Sequence, residues 1–255
     1  MVDGVRMLAL ALALTGAVVG SFLNVVIHRV PRHESVVRPA SRCPACATPV
    51  APRDNVPVLS WLALRGRCRA CRAPVSARYP AVELLTAALF GLIGLVRGSE
   101  PDLLLSLPFA AVLVAVAGID LEHRIVPNRI LAPAAGWAVA AAALVHPDRL
   151  PELLGAGALA FALLLMAALA RPAGMGMGDV KLAGVIGLYL GASAAPALLA
   201  AFFAGSVVAL GVLARRGAAA RSLGLPFAPF LALGGVLGIV AGPELVDLYT
   251  SRFLA

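Results

Sequence analysis

Long, mainly apolar stretches with few charges alternate with short polar breaks along the chain. The apolar runs cover Met7–Ile27 and then, in numbers, 80–97, 102–119, 127–145, 150–170, 179–191, 193–214 and 226–242. Crossing the hydrocarbon core of a bilayer as a helix takes about 20 apolar residues. Most of these runs meet that length, so the pattern predicts an all-α polytopic membrane bundle of about eight spans. The breaks are short, and Pro147, Pro151, Pro172 and Pro226 stand at or near run ends, where a helix tolerates proline. Two runs invite other readings. Met7–Ile27, preceded by Arg6, resembles a signal peptide but is long for one. The run 179–191 reaches only about 20 Å of a core about 30 Å thick. Either it borrows residues 174–178 as helix or the bilayer is thin there. Asn24, inside the first run, is expected to face other helices, because a lipid-facing amide would be left unsatisfied.

One sizeable polar segment interrupts the pattern. From His28 to Arg78 there are ten arginines against Glu34 and Asp54, a net of ten minus two, or +8. Prolines 31, 39, 44, 49, 52, 57 and 74 forbid long helices in it. The segment is too small to fold on an apolar core alone. The expected division is therefore a first span over 1–28, a small cytosolic domain carrying all four cysteines over 29–79, and a seven-span body over 80–255.

Composition agrees with a membrane protein and excludes a soluble globule. The chain is 61% hydrophobic and 13% charged, with mean hydropathy +0.93, whereas globular domains average about 25% charged residues. A formal charge of +8 invites a nucleic-acid partner, but the placement of the basic residues explains it better. With the N-terminus outside, the inside breaks collect 17 of the 21 Lys and Arg, leaving Arg6, Arg97, Arg149 and Arg252 outside. That bias follows the positive-inside rule. Dropping the run 179–191 would move Arg215, Arg216 and Arg221 outside, so eight spans are kept, with both termini outside and no nucleic acid expected as partner.

Two constellations carry chemistry. Cys43-Pro-Ala-Cys46 and Cys68-Arg-Ala-Cys71 offer four thiolates in the paired spacing of structural zinc sites. Bound zinc would supply the folding energy that the segment lacks; redox dithiols or free thiols are the alternative. The second constellation is a pair of carboxylates. Asp120 closes the third span and Asp179 opens the sixth, so the span count puts both on the cytosolic face at similar depth. A carboxylate at a membrane boundary is costly, which makes such a pair a candidate for acid–base work on a water. Two interfacial helix-end aspartates, with Asp179 as a cap, are the plainer reading. Glu122 and His123 lie beside Asp120 without forming the H-E-x-x-H zinc pattern, and are expected to orient or hydrate it.

The motifs resemble those of the prepilin peptidases, or type IV leader peptidases. They are Gly20-Ser-Phe-Leu-Asn24-Val25 with Arg29-Val-Pro31, Arg42-Cys43-Pro44-x-Cys46, Asn55-x-Pro57-x-x-Ser60-Trp61-Leu62 and Gly66-x-Cys68-x-x-Cys71. Then follow Arg78-Tyr79-Pro80-x-Val82-Glu83-Leu84, Asp120-x-Glu122 with Val126-Pro127, Gly176-x-Gly178-Asp179-Val180-Lys181-Leu182, and Pro226-Phe227-x-Pro229-Phe230. The resemblance implies that 80–255 is the peptidase domain and that Asp120 and Asp179 are its catalytic pair, supported by Glu122, Gly176, Gly178 and Lys181. It also implies a bacterial inner-membrane enzyme that cuts the short basic leader of prepilin- or pseudopilin-like proteins, each with an apolar helix after the leader. In bifunctional members the cysteine segment belongs to the part that methylates the new N-terminus with S-adenosylmethionine. Two departures are Asn128, where Asp is usual, and Ala228, where Gly is usual. No Gly-rich cofactor loop is present, so methyl transfer rests on the resemblance, and a peptidase with a purely structural zinc domain is the alternative.

The inside acids, Glu122 among them, could receive the basic leader, while the +8 segment would repel it and instead attract anionic phospholipid. A transporter or scaffold is the competing class, since broken helices with glycine near a charge also build ion sites. No inverted repeat supports it.

Overall fold

The computed structural model describes residues 2–98, 101–171, 174–217 and 224–253. Among them the helices are α1 (Val2–Arg29), α2 (Leu59–Ala63), α3 (Arg78–Arg97), α4 (Leu103–His123), α5 (Asn128–Val145), α6 (Leu150–Ala170), α7 (Met177–Leu190), α8 (Ala194–Arg216) and α9 (Ala228–Phe253). The chain forms two compact units, Met1–Leu103 and Leu104–Ala255. It is an all-α, polytopic membrane bundle.

In the first unit α1 and α3 pair antiparallel over small residues. A Cβ added at Gly16 would meet the Thr86 carbonyl oxygen at 2.7 Å, and one at Gly20 would meet the Glu83 Cα at the same distance. Such close approach of backbones is how membrane helices associate, since lipid offers no hydrophobic contrast. Between the two helices the prolines permit only α2 and two single 3-10 turns, Val30–Arg32 and Pro52–Asp54. Asp54 is joined to Arg69 by a bidentate ion pair of 2.6–3.0 Å.

In the second unit α6 and α7 are antiparallel, as are α8 and α9. Gly187 lies against Ala156 and Gly157, and Gly184 against Phe161. Gly235 of α9 admits Leu113 of α4, while Ser193 sits against Gly242. The short helix α7 is the centre of this unit: Val180, Leu182, Ala183, Val185, Ile186 and Tyr189 are all buried. The Tyr189 hydroxyl donates to the Ala134 carbonyl at 2.8 Å, and its ring stacks on Phe109 at 4.4 Å.

Among the described residues seven stretches can cross a membrane by length and composition, and one of them, Met177–Arg216, is 40 residues long. Straight, it would measure about 60 Å. It is not straight: Gly191 has φ +57 and the chain reverses through Gly191–Ser193, so α7 and α8 run back to back. Glu152 of α6 accepts the Ala192 N–H at 3.0 Å and holds that turn. With α7 and α8 taken as separate helices, the bundle has seven or eight spans. α7 is only 14 residues long and is enclosed by protein over most of its surface. α7 begins at Met177, so Gly174–Gly176 stay outside the helix.

Candidate functional sites: an aspartate pair and a four-thiol cluster

Asp120 occupies the last turn of α4 and is 5% exposed. Just beyond it, Arg124 turns left-handed (φ 55) and its N–H closes the helix on the Asp120 carbonyl at 2.9 Å. The Asp120 side chain is held from elsewhere: its Oδ2 accepts the Ala228 N–H, the first of α9, at 3.1 Å. A helix N-terminus presents unpaired N–H groups and the positive end of its dipole, a fitting partner for a carboxylate. The sequence named the Pro226-Phe227-Ala228-Pro229 motif without giving it this role. A backbone donor leaves no mark in composition; the proline pair framing a helix start was the available signal.

Asp179 is the third residue of α7, whose N-cap is Gly176. Its carboxylate bonds back to the Gly176 backbone, the reciprocal arrangement expected of an acidic residue at that position. Its Oδ1 is buried with no hydrogen-bond partner. The two carboxylates are close enough to interact electrostatically. Gly178 serves the packing around them: a Cβ there would meet Val126 Cβ at 2.7 Å, so only glycine lets the α4–α5 loop lie on the start of α7. Lys181, one turn on, donates to Asn128 Oδ1 at 3.0 Å, a contact that spacing alone did not reveal. Glu122 is exposed and lies 3.9 Å from the His123 ring.

The cysteines converge as well. Their four sulfurs lie within 4.8 Å of one another, and Cys43 and Cys71 are 3.8 Å apart. Sulfurs held tetrahedrally at about 2.3 Å from zinc stand about 3.8 Å apart, so the cluster can hold a metal ion. Two turns with the same wiring build it. In the first, Cys43 N–H bonds the Thr48 carbonyl, Ala47 N–H the Cys43 carbonyl, and Val50 N–H the Ser41 carbonyl. In the second, Cys68 pairs with Ala73, Arg72 with Cys68, and Val75 with Gly66, each 25 residues on. Ala47 and Arg72 share the same left-handed backbone, φ 58 and 59. The Thr48 side chain, then its backbone, pulls the Cys46 thiol down to about 6, and the backbone of Cys71, then of Ala70, holds Cys68 below the ordinary thiol range. At Cys71 the Ala73 backbone lowers the thiol, but Cys46, burial and the other two thiols outweigh it and push it up to about 11, the mutual repulsion that a bound cation would relieve.

Both units match known families. Residues 14–96 match the bacterial Peptidase A24 N-terminal domain, and residues 107–213 match the type IV leader peptidase family. A prepilin leader peptidase/N-methyltransferase of Bacillus subtilis is 35% identical over 247 residues, covering 94% of this chain and 96% of its own. The chain belongs to the type IV leader peptidase family. A second member, from Aeromonas hydrophila and of the same description, is 34% identical over 92% of this chain and 91% of its own. The type 4 prepilin-like proteins leader peptide-processing enzyme of Escherichia coli O78:H11 is 37% identical over 88% and 90%. These relatives align over nearly their whole lengths, so the family assignment spans both units. No solved structure matches the chain.

Proposed function

We propose that this family member is a bacterial inner-membrane aspartic endopeptidase. It removes the short basic leader of type IV prepilin- or pseudopilin-like proteins at the cytosolic membrane face and then N-methylates the new N-terminus. The observation that carries the reading is the pairing of Asp120, at the end of α4 and against the start of α9, with Asp179 at the start of α7. Two carboxylates at close range share one proton, which divides the roles. Asp120, with α9's first N–H on Oδ2, holds the negative charge and takes a proton from the attacking water. Asp179, whose Oδ1 has no partner within the protein, donates to the scissile carbonyl oxygen. Water adds to the carbonyl carbon, and the C–N bond breaks as the leaving nitrogen gains a proton. Lys181, Gly176 and Gly178 position Asp179; Glu122, exposed at the end of α4, meets the positive leader.

The four thiols hold one structural zinc, which has no open position for catalysis once four sulfurs bind it. Methyl transfer uses S-adenosylmethionine as the methyl donor, and the names of the relatives support it. The 17-to-4 bias of basic residues supports the cytosolic face for the aspartates and the thiols, with both termini outside. Prepilin processing in cells lacking the protein tests the reading. It should return with the wild-type gene and not with Asp120→Asn or Asp179→Asn; restoration by either variant would contradict it.

A further inference from the structure

Among the described residues of the first unit, Glu83 is the one buried carboxylate, 7% exposed, and peptide cleavage as derived above makes no use of it. It lies near the start of α3, within an apolar helix pair, where a charge is costly and marks a functional position. The surroundings are built to receive it. Val58 adopts φ +61, which β-branched residues rarely do, and its N–H donates to Glu83 Oε2 at 2.7 Å. Ser21 of α1 bonds the same carboxylate. Gly20 brings the α1 backbone against the Glu83 Cα.

Beside this group Asn24 is 2% exposed. Its amide nitrogen donates to the carbonyls of Gly20 (3.3 Å) and Tyr79 (3.0 Å), while its Oδ1 is buried with no partner. Thr86, fully buried, spends its hydroxyl proton on the Val82 carbonyl at 2.8 Å. Within about one turn of both helices the cluster therefore holds a carboxylate and a free amide oxygen. Both are acceptors, and what complements two acceptors is a group with several N–H donors and a positive charge. Cleavage creates such a group, the α-ammonium of the shortened substrate.

We propose that Glu83 and Asn24 Oδ1 form the amine site for methyl transfer, with Glu83 as the group that takes the amine's proton. This rests on the methyl-transfer half of the reading above. The ammonium binds to the carboxylate and the amide oxygen, and one proton passes from nitrogen to Glu83. The freed nitrogen lone pair forms the new N–CH3 bond as the C–S pair of a sulfonium donor returns to sulfur. The products are an N-methylammonium and a neutral thioether, and the Glu83 proton is released to water.

The test uses the full-length protein in lipid vesicles with a prepilin-like peptide and S-adenosylmethionine, scoring cleavage, methyl incorporation and zinc content separately. Wild-type protein that cleaves without methylating would refute the methyl-transfer reading itself, whatever Glu83 does. Given wild-type transfer, Glu83→Gln keeps an oxygen for the Val58 N–H, while its NH2 replaces the second oxygen and removes the charge and the proton-accepting group. It should cleave at the wild-type rate, hold its zinc, and methylate about 100-fold more slowly or worse, the range of a lost general base. A cleaved peptide whose N-terminal nitrogen is an oxyamine, unprotonated near neutrality, should restore transfer by the variant. Near wild-type methylation of the ordinary amine by Glu83→Gln would overturn the proposal. So would loss of zinc or cleavage along with methylation, which would make Glu83 a pin for the fold, and so would failure of the oxyamine peptide to restore transfer.

Discussion

At the scale of single residues, the site depends on groups that sequence motifs name but do not explain. Asp120 and Asp179 stand out as candidates because a carboxylate beside an apolar run is conspicuous, while their reading as a catalytic pair comes from the resemblance. The Ala228 N–H on Asp120 and the Asn128 oxygen on Lys181 were not legible, since one is backbone and the other an ordinary amide 53 positions away. Gly178 gives a direct test. Gly178→Ala puts a methyl 2.7 Å from Val126 Cβ, and overpacking of this kind costs about 1–3 kcal/mol. The start of α7 must shift, so cleavage should fall about 100-fold while the protein still inserts; an unchanged rate would show that the α4–α5 loop yields freely. Asp54 supplies a pH test. The hydrogen bonds from Arg69 hold its carboxyl below the ordinary aspartate range. Its contribution is therefore full at neutral pH and lost as pH falls through that lowered value. Amide exchange over residues 51–75 should be slower in wild type than in Asp54→Asn at neutral pH, by a small margin since the pair is at the surface. The two should converge in acid.

At the scale of elements, hydropathy located the long helices closely because each run is bounded by charge or proline. It stopped α9 at 242, before Pro243, whereas the helix continues to Phe253. A proline inside a helix forfeits one hydrogen bond and need not end it. Partner choice was not legible. Every run is apolar, so nothing in composition says that α1 packs on α3, or that α7 lies at the centre of its unit. The 25-residue repeat of the cysteine turns was hidden likewise, because it resides in backbone hydrogen bonds and two left-handed residues rather than in side-chain identity. The purified protein should contain one zinc per chain, and Cys43→Ser or Cys68→Ser should lose it and loosen residues 32–78; intact cysteines without zinc would refute the site. A reporter fused after Ala192 should read as external and one after Gly217 as cytosolic. A cytosolic reading at Ala192 would mean that α7 turns back without crossing.

At the scale of the whole molecule, each unit contains one matched family region, and the relatives align across both. The chain thus combines a thiol-clustered helix pair with a bundle that buries a carboxylate pair around a short central helix. The division fits two successive reactions on one substrate, first the cut and then the modification of the end it exposes. The cut is the central claim, and cleavage should proceed without added metal. The aspartates must also act as one unit, so their losses should not add. The most direct measurement is single-turnover cleavage of a prepilin-like peptide by purified protein in vesicles. It compares wild type, Asp120→Asn, Asp179→Asn and the double variant, each verified as folded and inserted. Both single variants should be inactive, and the double no worse than either. A correctly inserted Asp179→Asn protein that cuts at near the wild-type rate would contradict the account, leaving Asp179 as a helix cap.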